Sequence, residues 1–263
     1  MSAPINEVAA RGFERAGPEY ERGRPGYPPE AIELLSTELQ LGPARTVVDL
    51  AAGTGKLTRA LSATGARIVA VEPVAGMREQ LLTAVPGVQV LDGTAEAIPL
   101  ADASADAVLV AQAFHWFDAR AAAAEIHRVL SAGGGLGILW NSWNESYPWV
   151  ARMQEVIHSY AGDTPRHDTS RWREQLAATG LFTTLREATF PYVVSGDRAA
   201  LLARVASVSY ISALEDAERG HVIAAVRGIV STDPLTREGG ELQMPYTTHV
   251  AWARALPALS PRG

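Results

Sequence analysis

The chain has 263 residues, 47% of them hydrophobic and 20% charged, an ordinary globular composition that can bury a sizeable core. Its net charge of −6 argues against nucleic acid or an anionic membrane as partner, since both ask for a basic surface. There is no cysteine, which excludes disulfides, thiolate metal sites, iron–sulfur clusters and a cysteine nucleophile.

Residues 1–15 alternate charge with alanine and lack the apolar core of a secretory leader. No window reaches the roughly 18 apolar residues of a membrane span, so the expectation is a soluble, cytoplasmic protein. Residues 13–29 interleave Arg, Gly, Pro and Tyr. From 46 to 140 short apolar runs alternate with helical patterns, the rhythm of a parallel α/β sheet. Strands are expected at 46–50, 67–72, 88–91, 106–111 and 136–140. Leu57, Ala60, Leu61 and Thr64 recur at helical spacing behind the first strand, and Gly65 closes that helix. Asp118 caps a helix running to residue 130, and residues 131–135 turn into the fifth strand. Then comes an amphipathic helix with Trp149, Met153, Val156, Ile157 and Tyr160 on one face. A polar loop (162–169), a helix to 180, a strand at 182–192, helices around 199–212 and 215–230, and a last strand at 242–253 complete the pattern.

A strand, a glycine-rich turn and a helix together bind nucleotides: glycine lets the backbone approach the ligand, and the helix N-terminus offers N–H groups. Here the turn is Asp49-Leu50-Ala51-Ala52-Gly53-Thr54-Gly55, and Glu72 ends the next strand. A carboxylate there can accept both hydroxyls of an adenosine ribose. The alternative is a tight turn followed by a surface glutamate. A dinucleotide fingerprint would need glycine where Thr58 stands. Asp49 would repel a pyrophosphate but suits the ammonium of an aminoacyl group. A phosphate loop fails as well, because Leu57 follows Lys56 and no glycine stands five before Gly55.

The run resembles motif I of class I S-adenosylmethionine-dependent methyltransferases, with Ala51 in place of the first glycine. Further segments match in order. Val69-Ala70-Val71-Glu72-Pro73 is similar to the ribose-binding strand, and Met77 sits where the family lays an apolar side chain on adenine. Asp92-Gly93-Thr94-Ala95-Glu96 resembles the adenine loop, with Thr94 where the family often has aspartate; the N–H of Ala95 could still read the ring. Ala111-Gln112-Ala113-Phe114-His115-Trp116-Phe117 follows the fourth strand, and Arg128-Val129-Leu130-Ser131-Ala132-Gly133-Gly134 resembles an R-V-L-x-P-G-G turn. The first of these, together with Arg24-Pro25-Gly26-Tyr27-Pro28, looks like the small-molecule, methyltransferase type 11-like branch.

The resemblance covers residues 13–140 and, more loosely, the rest. It implies an α/β, Rossmann-like, seven-stranded and mostly parallel sheet with helices on both faces, an N-terminal lid and helical insertions. Residues 1–30 would be the lid, 31–140 the cofactor core, and 141–263 the insertions and last strands of one domain. The implied cofactor is S-adenosyl-L-methionine and the implied product S-adenosyl-L-homocysteine. The residues implied to hold it are Asp49, Ala51, Gly53, Gly55, Leu57, Glu72, Pro73, Met77, Thr94, Ala95, Glu96 and Gln112, with Tyr20 and Arg24 from the lid.

Methyl transfer from a sulfonium is an in-line displacement in which the protein supplies alignment, desolvation and, where needed, a base. After the fourth strand, Gln112-Ala113-Phe114-His115 offers one imidazole and no carboxylate until Asp118, so a metal-independent reaction is expected. His115 is the candidate base: it follows a strand end where open α/β sheets bind ligands, and imidazole titrates in the useful range. Its alternative is a hydrogen bond to the cofactor carboxylate or a neighbouring loop. Arg24 could grip a carboxylate, with the phenols of Tyr20 and Tyr27 covering the ligand. Tyr27, Trp140, Asn141, Trp143 and Tyr210 are the candidate acceptor wall; for the tryptophans and Asn141 the alternative is packing beneath the insertion helix. The expected activity is methylation of a small-molecule acceptor. The alternatives are a sulfonium-using rearrangement and a non-catalytic cofactor-binding protein. No residue separates an O-, N- or C-nucleophile.

Overall fold

The structure, a computed structural model, describes residues 24–162, 171–236 and 241–257. The first helix among the described residues, α1 (Pro29–Leu39), was not signalled by the strand rhythm. Proline at its start fits a position whose N–H needs no partner, and it buries Ala31, Ile32, Leu35 and Leu39 on one face. Next come β1 (Thr46–Leu50), α2 (Lys56–Leu61) and a 3-10 turn, Ser62–Thr64, that ends on Gly65 in the left-handed region. Strand β2 (Arg67–Val71), helix α3 (Ala75–Ala84), β3 (Gln89–Leu91) and β4 (Ala105–Ala111) follow. A short turn, Phe114–Trp116, precedes α4 (Ala119–Val129), whose first N–H groups are capped by the Asp118 carboxylate.

Strand β5 (Leu130–Trp143) starts earlier than expected, because Leu130 already pairs with Ala105 before the register shifts to Ala107 opposite Gly135. The expected turn at 131–135 is therefore an irregularity within the strand. Helices α5 (Pro148–His158) and α6 (Arg171–Ala178) come next. They are followed by β6 (Arg186–Gly196), α7 (Arg198–Ala206), α8 (Ser209–Ser212), α9 (Asp216–Thr232) and β7 (Leu242–Arg254).

The seven strands form one sheet, in the order β3-β2-β1-β4-β5-β7-β6. Pairings from β3 to β5 are parallel, whereas β7 runs antiparallel to both β5 and β6. Reversal of direction after β3 puts the topological switch between β1 and β4, where open α/β sheets bind ligands. On one face α1 lies over β5, and Gly135 and Gly137 make room there for Leu39 and Leu35. On the other, α4 and α6 cover β1, β4 and β5 through Ile126, Val129 and Trp172. A separate cluster of α5, α7, α8 and α9 encloses Trp149, Met153 and Ile157 with Met244 and Tyr246 of β7, so the Met153 stripe is core. Among the described residues no helix is long and apolar enough to cross a membrane.

Candidate active site

A cavity of about 180 Å³ opens at the carboxyl ends of β1, β2 and β4. Its floor is the turn after β1. Ala51 has φ 57°, Gly53 φ 56° and Gly55 φ 86°, so three residues of this turn take left-handed backbone, for which alanine is an unusual choice. Gly55, at φ 86°, does not line the cavity; a Cβ there would come within 2.9 Å of Leu81 Cγ. Its contribution is a close approach between the turn and α3.

Asp49 lines the cavity and is buried to 1% exposure. Thr58 Oγ1 donates to its Oδ2 at 2.6 Å, while Oδ1 has no hydrogen-bond partner among the described residues. Burial pushes this carboxyl up to about 7; the Thr58 hydrogen bonds pull it down, and the nearby Glu72 charge adds a further rise. Glu72, also buried, accepts Gly53 N–H on Oε2 and Val74 N–H on Oε1, each at 2.9 Å. Burial raises its carboxyl too, against those two bonds.

The far edge of this half is braced by arginines. Arg78 Nη1 donates to the carbonyls of Glu72 (2.9 Å) and Pro73 (2.7 Å), and its Nη2 pairs with Asp92 at 3.1 Å. Arg128 donates to the carbonyls of Ile98 and Leu100 and pairs with Glu125, fixing the chain just beyond Thr94, Ala95 and Glu96. All three of those residues line the cavity, and the Thr94 hydroxyl is buried with no hydrogen-bond partner among the described residues. Leu57, Pro73, Met77 and Gln112 line it as well. Gln112 stands at φ 60°, a second left-handed non-glycine at a strand end.

Arg24 and Tyr27 reach the cavity from the arm ahead of α1. Asn141 anchors that arm: its Nδ2 donates to Gly26 O at 2.7 Å, and its Oδ1 accepts from the buried Thr248 hydroxyl at 2.6 Å. Among the described residues, no group of three or more histidines and carboxylates is arranged to hold a metal.

A methyltransferase-domain model matches residues 48–138. An uncharacterised methyltransferase of Mycobacterium tuberculosis is 40% identical over 236 residues, covering 90% of this chain and 92% of its own. An uncharacterised methyltransferase-like protein of Schizosaccharomyces pombe is 31% identical over 253 residues, covering 96% and 98%. The chain belongs to the class I S-adenosylmethionine-dependent methyltransferases. A solved chain from Anaeromyxobacter dehalogenans shares the fold at TM-score 0.64 and 22% identity, covering 88% of this chain and 97% of its own.

In this methyltransferase several residues fall away from the cavity. Trp140 is buried with its ring centroid 4.6 Å from that of Trp172, and Trp143 stacks on Tyr246 at 4.2 Å. Both are core rather than cavity wall, because the inward face of β5 is covered by α6 on one side and the α5–α9 cluster on the other. Asn141 is the tether just described, and Tyr210 packs against the α5–α9 cluster. His115 is half-buried beside Trp116, with ring centroids 5.0 Å apart; its neighbours Trp116 and Phe117 line the cavity and His115 does not. Tyr20 lies outside the described residues. Among the lining residues that carried no assigned role in the sequence are Trp116, Phe117, Lys56 and Arg204. The two aromatics stood in a recognised run, but nothing local marks Arg204, which α7 brings in from the distant end of the chain.

Proposed function

We propose that this enzyme transfers a methyl group from S-adenosylmethionine to a small-molecule acceptor, without a metal, in the cavity at the ends of β1, β2 and β4. The observation that carries this is the buried, unpartnered Asp49 Oδ1 on the cavity wall. An uncompensated buried carboxylate is costly, and an ammonium group offsets that cost. When bound, S-adenosylmethionine supplies an electrophilic methyl and a neutral thioether leaving group.

Each remaining contact follows from a named group. Asp49 would receive the ammonium. Each oxygen of Glu72 has accepted one backbone N–H and keeps a second acceptor site for a ribose hydroxyl. Met77 would lie against adenine, with the Thr94 hydroxyl and the Ala95 N–H reading its edge. Arg24 would take the carboxylate as a fork. Leu57, Pro73, Glu96 and Gln112 would complete the enclosure, with Ala51 and Gly53 giving the backbone approach. Tyr27, Trp116 and Phe117 would exclude water from the transfer, which makes every polar contact inside count for more. His115 does not line the cavity, so the base role read from the sequence is proposed only for an acceptor that extends past the Trp116 ring to meet it. The residues before α1 we read as the lid and those beyond β5 as the acceptor-facing insertions.

Calorimetric titration with S-adenosylhomocysteine, with NAD as control and Glu72→Ala as second sample, tests the cofactor. Saturable binding of the homocysteine ligand alone, weakened at least tenfold in the variant, supports the reading; binding of NAD instead overturns it. Appearance of S-adenosylhomocysteine in proportion to methylated product then separates methyl transfer from a rearrangement. His115→Ala with undiminished turnover at saturating cofactor removes the base.

A further inference from the structure

The arm ahead of α1 reads Arg24-Pro25-Gly26-Tyr27-Pro28 and runs into Pro29, the first residue of the helix. Proline fixes its own φ and restricts the residue before it. Arg24 and Tyr27 each precede a proline, so Gly26 is the one residue of the five that neither is a proline nor precedes one. The arm is therefore two stiff pieces joined at a glycine hinge. Pro25 and Tyr27, on either side of that hinge, both line the cavity.

A buried polar pair meets the hinge. Gly135, Gly137, Leu139 and Asn141 alternate onto one face of β5. Leu39 and Leu35 of α1 lie against the two glycines in that order, so α1 runs back along β5 and the chain ahead of it crosses Asn141. There Asn141 Nδ2 donates to the Gly26 carbonyl at 2.7 Å. Thr248, directly opposite Asn141 on β7, donates its hydroxyl to Oδ1 at 2.6 Å. An amide has one accepting and one donating end, so the Thr248 bond turns the nitrogen toward the arm. An apolar pair of the same shape would fill this buried place as well; what the amide adds is its hold on Gly26. Tyr192 of β6 also approaches the hinge, since a Cβ at Gly26 would stand 3.6 Å from its hydroxyl.

We propose that Asn141 is a positioning residue for the methyl transfer: oriented by Thr248, it pins the Gly26 hinge so that Pro25 and Tyr27 stay closed over the bound cofactor. The inference rests on the methyl-transfer reading above. Asn141 does not itself line the cavity, so its side chain acts on the ligand through the arm. Its second link to the cavity is by main chain, where its carbonyl accepts Gln112 Nε2 at 3.4 Å, and that link survives a change of side chain. The quantity Asn141 governs is how long the cofactor is held.

The test follows association and release of S-adenosylhomocysteine by surface plasmon resonance, with the melting temperature recorded beside it. Asn141→Leu combined with Thr248→Val replaces both polar partners by apolar groups of similar shape, which leaves stability nearly intact. In that double variant release should quicken about tenfold while association changes by less than about threefold. Thr248→Ser keeps the hydroxyl and should release at the wild-type rate, whereas Thr248→Val alone should release faster. This second pair decides the matter if the double variant does not fold. Adding Tyr27→Ala to the double variant should give no further quickening beyond the faster parent, because both changes act through one element. Unchanged release in the folded double variant or in Thr248→Val, faster release in Thr248→Ser as well, a loss of affinity carried by slower association, or rates that multiply when Tyr27→Ala is added each overturns the proposal. Failure of S-adenosylhomocysteine to bind the wild type would instead defeat the methyl-transfer reading itself, a result visible before any variant is made.

Discussion

On the parallel half of the sheet, β1 to β4, the groups that face the cavity are set by the backbone. Ala51 and Gly53 take left-handed φ, Glu72 is held by two N–H groups of neighbouring turns, and Asp49 stands one residue before the end of the first strand. On the antiparallel half, β5, β7 and β6, burial across long sequence separations does the setting. Asn141 reaches Thr248 and Gly26, Trp143 stacks on Tyr246, and Arg204 arrives on a helix packed over β7. A site built on local turns tolerates change only where backbone permits it. One built on packing tolerates change only where volume and hydrogen bonding are conserved.

The largest expected effect tests the first half. Gly55→Ala combines a left-handed φ with a contact at 2.9 Å to Leu81, so strain and overpacking together should cost about 2–4 kcal/mol in urea unfolding. A loss under about 0.5 kcal/mol would mean the turn is not rigidly set by its backbone. On the second half, Asn141→Ala leaves the buried Thr248 hydroxyl without its acceptor and frees the arm at Gly26. It should cost about 1–3 kcal/mol and make the peptide bonds near Arg24 more open to protease. Stability lost with no change in proteolysis would detach the arm from this network.

Asp49 gives a pH test. Its carboxyl is raised to about 7, so the ionised form is disfavoured in the folded, ligand-free protein. The stability tied to this group is full below the ordinary carboxylate range and is lost as pH rises toward 7. An ammonium ligand favours the ionised form. Binding of S-adenosylhomocysteine should therefore tighten from pH 5.5 to 7.5 and release protons, seen as a dependence of the heat on buffer ionisation. Asp49→Asn should flatten that slope; an unchanged slope would move the proton to Glu72. The smallest effect belongs to Ala51→Gly, which relieves a left-handed alanine and should change stability by less than about 1 kcal/mol, toward greater stability. Destabilisation would show that the alanine methyl is packed rather than merely accommodated.

The parallel half was legible because its determinants are local. An acidic strand end, a glycine-rich turn and an acidic second strand end need only a few consecutive residues, and Asp49, Gly53, Glu72, Met77 and Thr94 all came together on one cavity wall. Even there, the part played by Gly55 was hidden, since its close approach to Leu81 depends on how α3 lies against the turn. The aromatic and polar residues leaving β5 carried no such local sign. Trp140, Trp143 and Asn141 could equally have faced a ligand or a helix, and the outcome depended on where α6 and the α5–α9 cluster settled.

By itself, the sequence determined the strand-and-helix rhythm and the nucleotide-binding turn, because apolar periodicity and glycine spacing act over a few residues, and its family resemblance implied the seven-stranded sheet. Only the tertiary structure decided which aromatics became core, that Asn141 ties the arm to the sheet, and that Arg204 shares a wall with Arg24. Those contacts join residues more than a hundred positions apart, and burial, which no local pattern encodes, selects among them.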